Sequence, residues 1–418
     1  MNHFPVTSES FIQRTAEMIV DYLDAKITII ALSGYNASQL EESAPEFMRQ
    51  LESGKVEVVS GPFQTPFLAL RSFVGSLLRY PIATCQTSHY VISLSFKEGI
   101  RFKHAIKGGY LAGRLANFKK KEELIVQPQF LSLGISCSVA SDLINARRGV
   151  KEWGVVCHIR GSDISSDSAV SAKEFTYLKA SSRSPKYFLA SSDSLRKMAI
   201  ARGLNDKNVA TLYSPLNTHL MSWRTEPCYP RKGFRMIQVG RLVEKKGGRM
   251  SVMALASLPD TTIRLEIAGD GPERKFLKNL AESLGVADRV AFLGALPQKD
   301  VLRRIQAADL LLVPSLMGRN GDSEGIPNVI KEAMALGTIV VASNHSGAPE
   351  IVEDGVNGYL FPEGKQESFL DVLGKALDSL GEWPILRDAA RKTVVSRFDS
   401  AQVARELESF YRRLVSSR

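Results

Sequence analysis

Short apolar runs alternate with amphipathic segments along the second half of the chain, and turn residues separate the two. The runs are typical of buried strands, whereas the segments between them have the helical spacing of apolar positions. The predicted strands are 235–240, 263–271, 290–294, 309–315 and 338–343. The predicted helices are 251–258, 273–285, 300–308 and 325–337. This alternation predicts an α/β domain with a parallel, doubly wound sheet.

The first half alternates less regularly, with predicted strands at 25–32, 55–60, 123–127, 153–158, 186–191 and 208–213. Three prolines and few periodic apolar positions mark 214–232 as a linker. We therefore expect an N-terminal domain over 1–213 and a C-terminal domain over 233–398, with a helix over 399–418 packing back toward the first. Two doubly wound, Rossmann-like domains facing each other across a cleft would bind ligands beyond the carboxyl ends of their strands.

Composition indicates an ordinary soluble protein: 418 residues, 44% hydrophobic and 23% charged, with a net charge of +10. Four cysteines without CxxC spacing, no signal peptide and no membrane-length apolar run predict a reduced cytoplasmic protein. The positive charge is concentrated in 53–121, which has eleven basic and two acidic residues. Apolar residues with spaced arginines there suit an anionic membrane surface, or equally a core helix with a solvated basic face. No basic module interleaved with aromatics indicates nucleic-acid binding.

The segment GRLVEKKG follows the first strand of the second half. Gly240 allows a sharp turn, after which Arg241 and Lys246 offer a guanidinium and an ammonium suited to a diphosphate. A solvated basic loop is the alternative. The next strand ends in GDGP, where Gly269 and Asp270 are typical of a tight turn. A full GxGxxG fingerprint is missing, which disfavours a nicotinamide dehydrogenase.

The segment DSEGIPNVIKE places Glu324 in a loop and Glu332 about two turns inside the predicted helix. Backbone N–H groups near Gly325 and Ile326 would receive a phosphate at the helix start. The two carboxylates would accept hydrogen bonds from sugar hydroxyls. Two solvated glutamates on a surface helix are the alternative.

The segment CHIRGSD places His158 at the end of an apolar strand, where it could hydrogen-bond a reacting sugar or shuttle a proton. A structural histidine is the alternative. Arg160 and Asp163 in the same segment are weaker candidates.

Residues 235–362 resemble the retaining nucleotide-sugar glycosyltransferases of glycosyltransferase family 4, which have the GT-B fold. The similar segments are GRLVEKKG, IAGDGPE, FLGALPQKDV, VPSLMGRNGDSEGIPNVIKEAMALGTIVVAS and GAPEIVEDGVNGYLF. The resemblance implies that Arg241 and Lys246 hold the donor diphosphate, Glu324 contacts the sugar and Glu332 the ribose. It also implies that the loop at Leu296 lines the base. The further implied donor-binding residues are Gly240, Gly269, Asp270, Gly325, Ile326, Pro327, Asn328 and Val329.

The N-terminal half more weakly resembles bacterial exopolysaccharide transferases of the colanic-acid type. FPVTSESFI is similar to the loop after their first strand, which makes Thr7 and Ser8 acceptor-side candidates together with Asp163. CHIRGSD is similar to the segment carrying their active-site histidine, here His158. Three segments depart from the pattern: only Met1 to His3 precede the first motif, 127–130 read QPQF where a histidine is usual, and 213–217 read YSPLN. The first departure predicts that the first strand is missing or the chain start shortened.

The resemblance implies a retaining enzyme that moves a hexose from a nucleotide diphosphate sugar to a glycan or polyprenyl-linked saccharide in bacterial surface polysaccharide synthesis. It implies no metal or other cofactor, and a cytoplasmic location that could include the inner face of the membrane. Two alternatives stay open. One is a catalytically inactive GT-B protein that binds nucleotide sugars or glycans, and the other is a GT-B sugar epimerase.

Overall fold

A computed structural model of the protein describes residues 3–4, 10–23, 27–31, 34–35, 49–50, 52–53, 56–60, 111, 124–129, 134, 137, 153–164, 187–223, 233–318 and 325–416. The chain divides into two compact units. Unit 1 comprises Met1–Tyr213 with Glu406–Arg418, and unit 2 comprises Ser214–Arg405. Within the described ranges, no helix is both long and apolar enough to cross a membrane.

Unit 1 contains parallel strand pairs throughout its described part. The short strand β1 (His3–Phe4) pairs with β3 (Gly34–Tyr35), and β2 (Ile27–Ala31) pairs with β4 (Val56–Ser60). A two-residue strand is therefore present at His3–Phe4, where the sequence analysis predicted either a missing first strand or a shortened chain start. A further sheet has the order β5-β6-β7-β8. Its strands are β5 (Leu124–Val126), β6 (Trp153–Ile159), β7 (Tyr187–Ala190) and β8 (Val209–Thr211).

The helices of unit 1 in the described ranges are α1 (Ser10–Leu23), α2 (Gly161–Ile164) and α3 (Asp193–Ala201). Helix α3 begins where the Ser192 hydroxyl accepts a hydrogen bond from the Leu195 amide at 3.2 Å, an N-cap that satisfies one otherwise unpaired amide. Buried apolar side chains of β6, β7 and α3 form a core that holds the carboxyl end of β6 in place.

Unit 2 has one parallel sheet in its described part, with the strand order β11-β10-β9-β12-β13-β14. Its strands are β9 (Arg235–Val239), β10 (Arg264–Ala268), β11 (Val290–Gly294), β12 (Leu310–Val313), β13 (Ile339–Asn344) and β14 (Tyr359–Pro362). The chain thus winds outward in both directions from β9. In such a sheet the ligand crevice lies at the carboxyl ends of the two strands where winding reverses, here β9 and β12.

The helices of unit 2 cover both faces of this sheet, so that all of β12 and most of β13 are buried. They are α4 (Gly248–Ser257), α5 (Arg274–Ser283), α6 (Gln298–Ala307), α7 (Asn328–Leu336), α8 (Gln366–Asp378) and α9 (Trp383–Phe398), followed by α10 (Ser400–Ser416), which continues into unit 1. Trp383 is fully buried and donates its indole N–H to the Ala376 carbonyl at 2.9 Å. The predicted strands of both halves are present within a residue or a few of their predicted limits.

Residues 214–223, within the predicted linker, are packed into unit 2. Leu216 is buried and bridges to Asp399, the residue between α9 and α10. The Thr218 hydroxyl donates to the Asp399 carboxylate. Lys331 is also buried and donates from Nζ to the Ser214 carbonyl at 2.7 Å. At the far end of α10, Phe410 packs edge-on against Tyr187 of unit 1.

The loops after β9 and β12 are in close contact. Gly247 has a φ of +63°, and a Cβ atom there would lie 1.9 Å from the Pro314 carbonyl oxygen. The Leu316 amide donates to the Lys245 carbonyl at 2.8 Å. A residue without a side chain is therefore required where the two loops meet.

We expect Gly247→Ala to destabilise unit 2 by several times the cost of Gly285→Ala, which is about 1 kcal/mol from positive φ alone. Gly285 is a matched control, because its φ is +68° and no atom lies within 4 Å of an added Cβ. Urea denaturation of both variants measures the difference in the free energy of unfolding. Equal losses would mean that the contact with Pro314 relaxes at no cost.

Candidate active site

The turn after β9 holds Lys246 against the backbone of Gly240. A Cβ atom on Gly240 would lie 3.3 Å from Lys246 Cε and 3.7 Å from Nζ, so the ammonium group lies over this glycine. The Lys246 carbonyl accepts a hydrogen bond from Gln238 Nε2 at 2.7 Å, which ties the turn to β9. Arg241 is exposed in the same turn. The structure thus places both predicted cations at the carboxyl end of β9.

The two predicted glycines are packed against each other. A Cβ on Gly269 would lie 1.9 Å from the Gly240 carbonyl oxygen. The Gly269 amide donates to the Gly294 carbonyl at 2.7 Å, and the Gly240 amide donates to the Ala268 carbonyl at 3.0 Å. These contacts join the carboxyl ends of β9, β10 and β11 with no side chain between them. Both glycines are thereby explained by local packing, whether or not they touch a ligand.

Asp270 is engaged within its own turn. One carboxylate oxygen accepts from the Gly271 amide at 2.8 Å, and the other pairs with Arg274 at 3.1 Å. Its carbonyl accepts from the Leu242 amide at 2.9 Å, linking the turn after β10 to the turn after β9. The contacts of Asp270 therefore favour the tight-turn interpretation of GDGP.

Helix α7 begins at Asn328, three residues later than the sequence predicted. Pro327 is the N-cap residue, and no side chain caps this end of the helix. Gly325 and Ile326 precede the helix and lie against Gly347, where a Cβ would be 2.8 Å from the Ile326 nitrogen. Amides at Asn328 and Val329 thus lie at the positive end of a helix dipole, which favours an anion.

Glu332 lies just over one turn inside α7, not two turns inside as the sequence predicted, because Pro327 delays the helix start. Its side chain is 2% exposed, and its Oε1 accepts a hydrogen bond from Gln298 Nε2 at 2.9 Å. Gln298 begins α6, directly after the loop that contains the half-buried Leu296. A hydrogen bond therefore joins Glu332, which the resemblance assigns to a ribose, to the residue that directly follows the loop assigned to a base. Glu324 lies outside the described residues.

Sequence reasoning missed a contact between a buried histidine and a half-buried glutamate at the same edge of the sheet. His345 follows β13 and its Nδ1 lies 2.7 Å from Glu363 Oε2, just beyond β14. The other oxygen of Glu363 accepts from the Met317 amide at 2.5 Å. The pair thereby connects the loops after β12, β13 and β14. His345 and Glu363 each follow a parallel strand, at the edge of the sheet where ligands bind, and this position is the signal that could have identified them. The same signal could have identified Gln298, which comes after β11.

His158 is a polar residue near the carboxyl end of β6 in unit 1, and it is only 2% exposed. Its amide donates to the Pro128 carbonyl at 2.9 Å. Arg160 donates from its NH2 group to Gln129 Oε1 at 2.9 Å, and the same nitrogen lies 3.5 Å from His158 Nδ1. Among the described residues, His158 Nε2 has no hydrogen-bond partner although it is buried. The segment QPQF, which departs from the family pattern, thus contacts the predicted catalytic histidine.

Burial, and secondarily the charge of Arg160, lower the pKa of His158 well below 6.5. Asp163 accepts a hydrogen bond from the Arg160 amide at 2.9 Å and so stabilises the start of α2. This contact gives the predicted acceptor-side Asp163 a structural role. Thr7 and Ser8, the other acceptor-side candidates, lie outside the described residues.

We expect acidification to destabilise the protein through His158. Below about pH 6.5 the unfolded histidine takes up a proton that the folded one does not, so the free energy of unfolding falls by up to about 1.4 kcal/mol per pH unit. His158→Gln removes this contribution, and the exposed His219→Gln does not. Urea denaturation between pH 7.5 and 5 compares the slopes. Parallel slopes for wild type and His158→Gln would show that the folded protein protonates His158.

In the comparison with known proteins, the family match lies in the C-terminal region of the chain. The family described as glycosyl transferases group 1 matches residues 223–393. WcaL of Escherichia coli, a glycosyltransferase named for colanic acid biosynthesis, is 35% identical over 189 residues, 44% of this chain and 46% of that protein. The amylovoran biosynthesis glycosyltransferase AmsK of Erwinia amylovora is 35% identical over 182 residues, 43% of this chain and 45% of that protein. The chain spans about half the length of these curated relatives.

Solved structures extend the fold comparison to nearly the whole chain. HepE of Anabaena in complex with UDP superimposes with a TM-score of 0.70 at 19% identity, covering 98% of this chain and 97% of HepE. HepE has also been crystallised with UDP-glucose. The lipopolysaccharide outer core galactosyltransferase WaaB gives a TM-score of 0.63 at 19% identity, covering 93% of this chain and 99% of WaaB. The chain therefore has the GT-B fold of two Rossmann-like domains, and its residues 223–393 match the glycosyl transferases group 1 family.

Proposed function

We propose that this protein is a retaining glycosyltransferase that moves a hexose from a nucleotide diphosphate sugar to a hydroxyl of a glycan or lipid-linked saccharide. The observation that carries the proposal is the set of groups at the carboxyl edge of the unit 2 sheet. Lys246 lies over Gly240, helix α7 presents an uncapped N-terminus, and Glu332 is held by Gln298. The relatives named for colanic acid and amylovoran biosynthesis support a role in exopolysaccharide synthesis.

The diphosphate is the group that the two cations and the helix N-terminus suit best. During transfer the bond from the anomeric carbon to the phosphate oxygen breaks, and negative charge accumulates on the leaving nucleotide. Lys246, Arg241 and the amides at the start of α7 stabilise that charge without reorganisation. We propose for this reason that no metal ion is required.

The nucleoside would be bound by the residues around Glu332. A buried carboxylate can accept hydrogen bonds from both vicinal ribose hydroxyls, and Gln298 orients it by donating to one oxygen. Leu296 lies in the loop directly before Gln298 and offers an apolar surface to a base. HepE, which was crystallised with UDP and UDP-glucose, makes a uridine nucleotide the first donor to test.

A further set of groups is proposed to contact the transferred sugar and the acceptor. We propose that His158 contacts the transferred sugar, and that Glu324 contacts the sugar and phosphate. The basic stretch 53–121, for which we propose contact with the inner face of the membrane or a lipid-linked acceptor, lies mostly outside the described residues. For the acceptor itself, we propose a saccharide whose hydroxyl group receives the transferred sugar.

Product analysis tests the function directly. Purified protein is incubated with a panel of nucleotide sugars, with and without polyprenyl-linked saccharides, and products are identified by mass spectrometry and NMR. Transfer with the anomeric configuration of the donor supports the proposal, and an inverted product would refute retention. Isomerised donor without acceptor would identify an epimerase, and binding without turnover would identify a sugar-binding protein.

We expect Lys246→Met to lower kcat/KM for transfer about 100-fold or more, the scale for removing one charge-stabilising donor. Lys245→Met is the matched control, because it removes the same charge from the same turn. Steady-state kinetics of both variants, with urea denaturation to confirm folding, make the comparison. Equal activities in the two variants would show that Lys246 has no specific contact with the leaving group.

We expect Glu332→Gln to weaken binding of UDP about 10-fold to 100-fold, because hydrogen bonds from ribose to a buried carboxylate are worth about 1.5–3 kcal/mol. Binding of inorganic pyrophosphate should not change, since it has no ribose. Titration calorimetry measures both ligands, with the exposed Glu282→Gln as control. Equal losses for UDP and pyrophosphate would indicate a disturbed site and not a lost ribose contact.

A further inference from the structure

The surroundings of His158 determine which of its ring nitrogens carries the proton. Nδ1 lies 3.5 Å from an Arg160 nitrogen, and a guanidinium group can donate hydrogen bonds but cannot accept them. This contact therefore favours a lone pair on Nδ1. A neutral imidazole has one N–H, so the tautomer that the contact favours carries its proton at Nε2. Nε2 is the buried nitrogen for which the described residues provide no partner.

Arg160 is itself held in place by two contacts from different elements. Gln129, in the loop after β5, accepts from the same NH2 group at 2.9 Å. Asp163 of α2 accepts from the Arg160 backbone amide at 2.9 Å. Arg160 and Gln129 are both buried, so neither side chain can move far without leaving polar groups unsatisfied. The histidine amide is fixed in turn by the Pro128 carbonyl.

We propose that Arg160, oriented by Gln129, is a positioning residue that holds His158 as the neutral Nε2–H tautomer, which donates a hydrogen bond to an oxygen of the transferred sugar. The proposal rests on the proposed function and specifies how His158 serves it. His158 is then a hydrogen-bond donor to the substrate and not a proton shuttle. An oxygen of an uncharged sugar is the partner that a neutral N–H suits.

Few charged groups surround the ring in the described structure. Arg160 lies on the chain just after β6, and Asp163 lies on α2. Strand β7 places the apolar Leu189 opposite His158, and the loop after β5 contributes uncharged glutamines. The buried thiols of Cys157 and Cys137 have raised pKa values and stay neutral. Among the described residues, Arg160 is the charged group with a direct contact to His158, and it disfavours the imidazolium form.

The tautomer is measured on the wild-type protein, without any substitution. Long-range nitrogen–proton correlation spectra of histidine-labelled protein distinguish Nδ1–H, Nε2–H and imidazolium forms, and His158→Gln assigns the signal. We expect the Nε2–H form from pH 8 to pH 6. A signal from Nδ1–H, or from an imidazolium at pH 6, would overturn the proposal whatever the enzymatic activity.

Variants then test the role of Arg160. We expect Arg160→Met to raise the pKa of His158, to mix the two tautomers and to lower kcat roughly threefold to tenfold, the scale of one neutral hydrogen bond. The activity of this variant should also fall at acidic pH where wild type does not. Arg160→Lys, which keeps a donor and a charge, should restore part of the tautomer preference. Arg196→Met, an arginine on α3 of the same unit, is the control.

Binding of UDP separates this inference from the proposed function. UDP affinity should be the same in wild type and Arg160→Met, because the nucleotide site lies in unit 2. If wild type transfers no sugar but shows the Nε2–H form, the proposed function fails while the assignment of the tautomer stands. If wild type transfers sugar and Arg160→Met keeps both its kcat and its pH profile, the positioning role is wrong.

Discussion

The close approach of backbone segments at the carboxyl edge of the unit 2 sheet is the constraint on which the candidate donor site depends. Gly269 lies against the Gly240 carbonyl, and Gly247 lies against the Pro314 carbonyl, at distances that no Cβ atom could occupy. These contacts bring the loops after β9, β10 and β12 to one place. Lys246 belongs to the turn between Gly240 and Gly247, and its side chain lies over Gly240. The cation therefore owes its position to the glycines.

The two units hold their polar groups by different means. In unit 2, the groups proposed to bind phosphate are a lysine ammonium and the amides at a helix N-terminus. In unit 1, burial and Arg160 lower the pKa of His158, and the contribution proposed for this residue is a directed N–H. The net charge of +10 does not by itself produce either arrangement. Each arrangement depends instead on the position of one cation, Lys246 over Gly240 in unit 2 and Arg160 beside His158 in unit 1.

The strands and most helices could be predicted because their apolar runs are buried on both sides, as in β12 and β13. The start of α7 was predicted too early because periodicity continues through Ile326, whereas Pro327 takes the N-cap position. That shift moved Glu332 by most of a turn relative to the prediction. The positions of Gly240 and Lys246 could be predicted together because one turn, GRLVEKKG, contains both residues.

Contacts between distant segments could not be predicted in this way. Gln298 and Glu332 are 34 positions apart, and Gln129 and Arg160 are 31 apart, so no local spacing relates them. The sequence identified QPQF as a departure from the family pattern. The contact of Gln129 with Arg160 could not be inferred from it, because that contact depends on the pairing of β5 with β6. The pairing of Leu124 with Trp153 sets the register that brings Gln129 to Arg160.

This arrangement explains how a departure at 127–130 can be compatible with an intact site. If a second histidine stood near His158, two titrating groups would share one buried region, and each would disfavour protonation of the other. Glutamine cannot titrate, and its carbonyl oxygen instead accepts from Arg160. The loss of an ionisable group is thereby offset by a fixed cation whose own position no longer depends on pH. Under the proposed function, a neutral imidazole donates a hydrogen bond to the sugar and adds no further positive charge near the anomeric carbon, where positive charge develops during transfer.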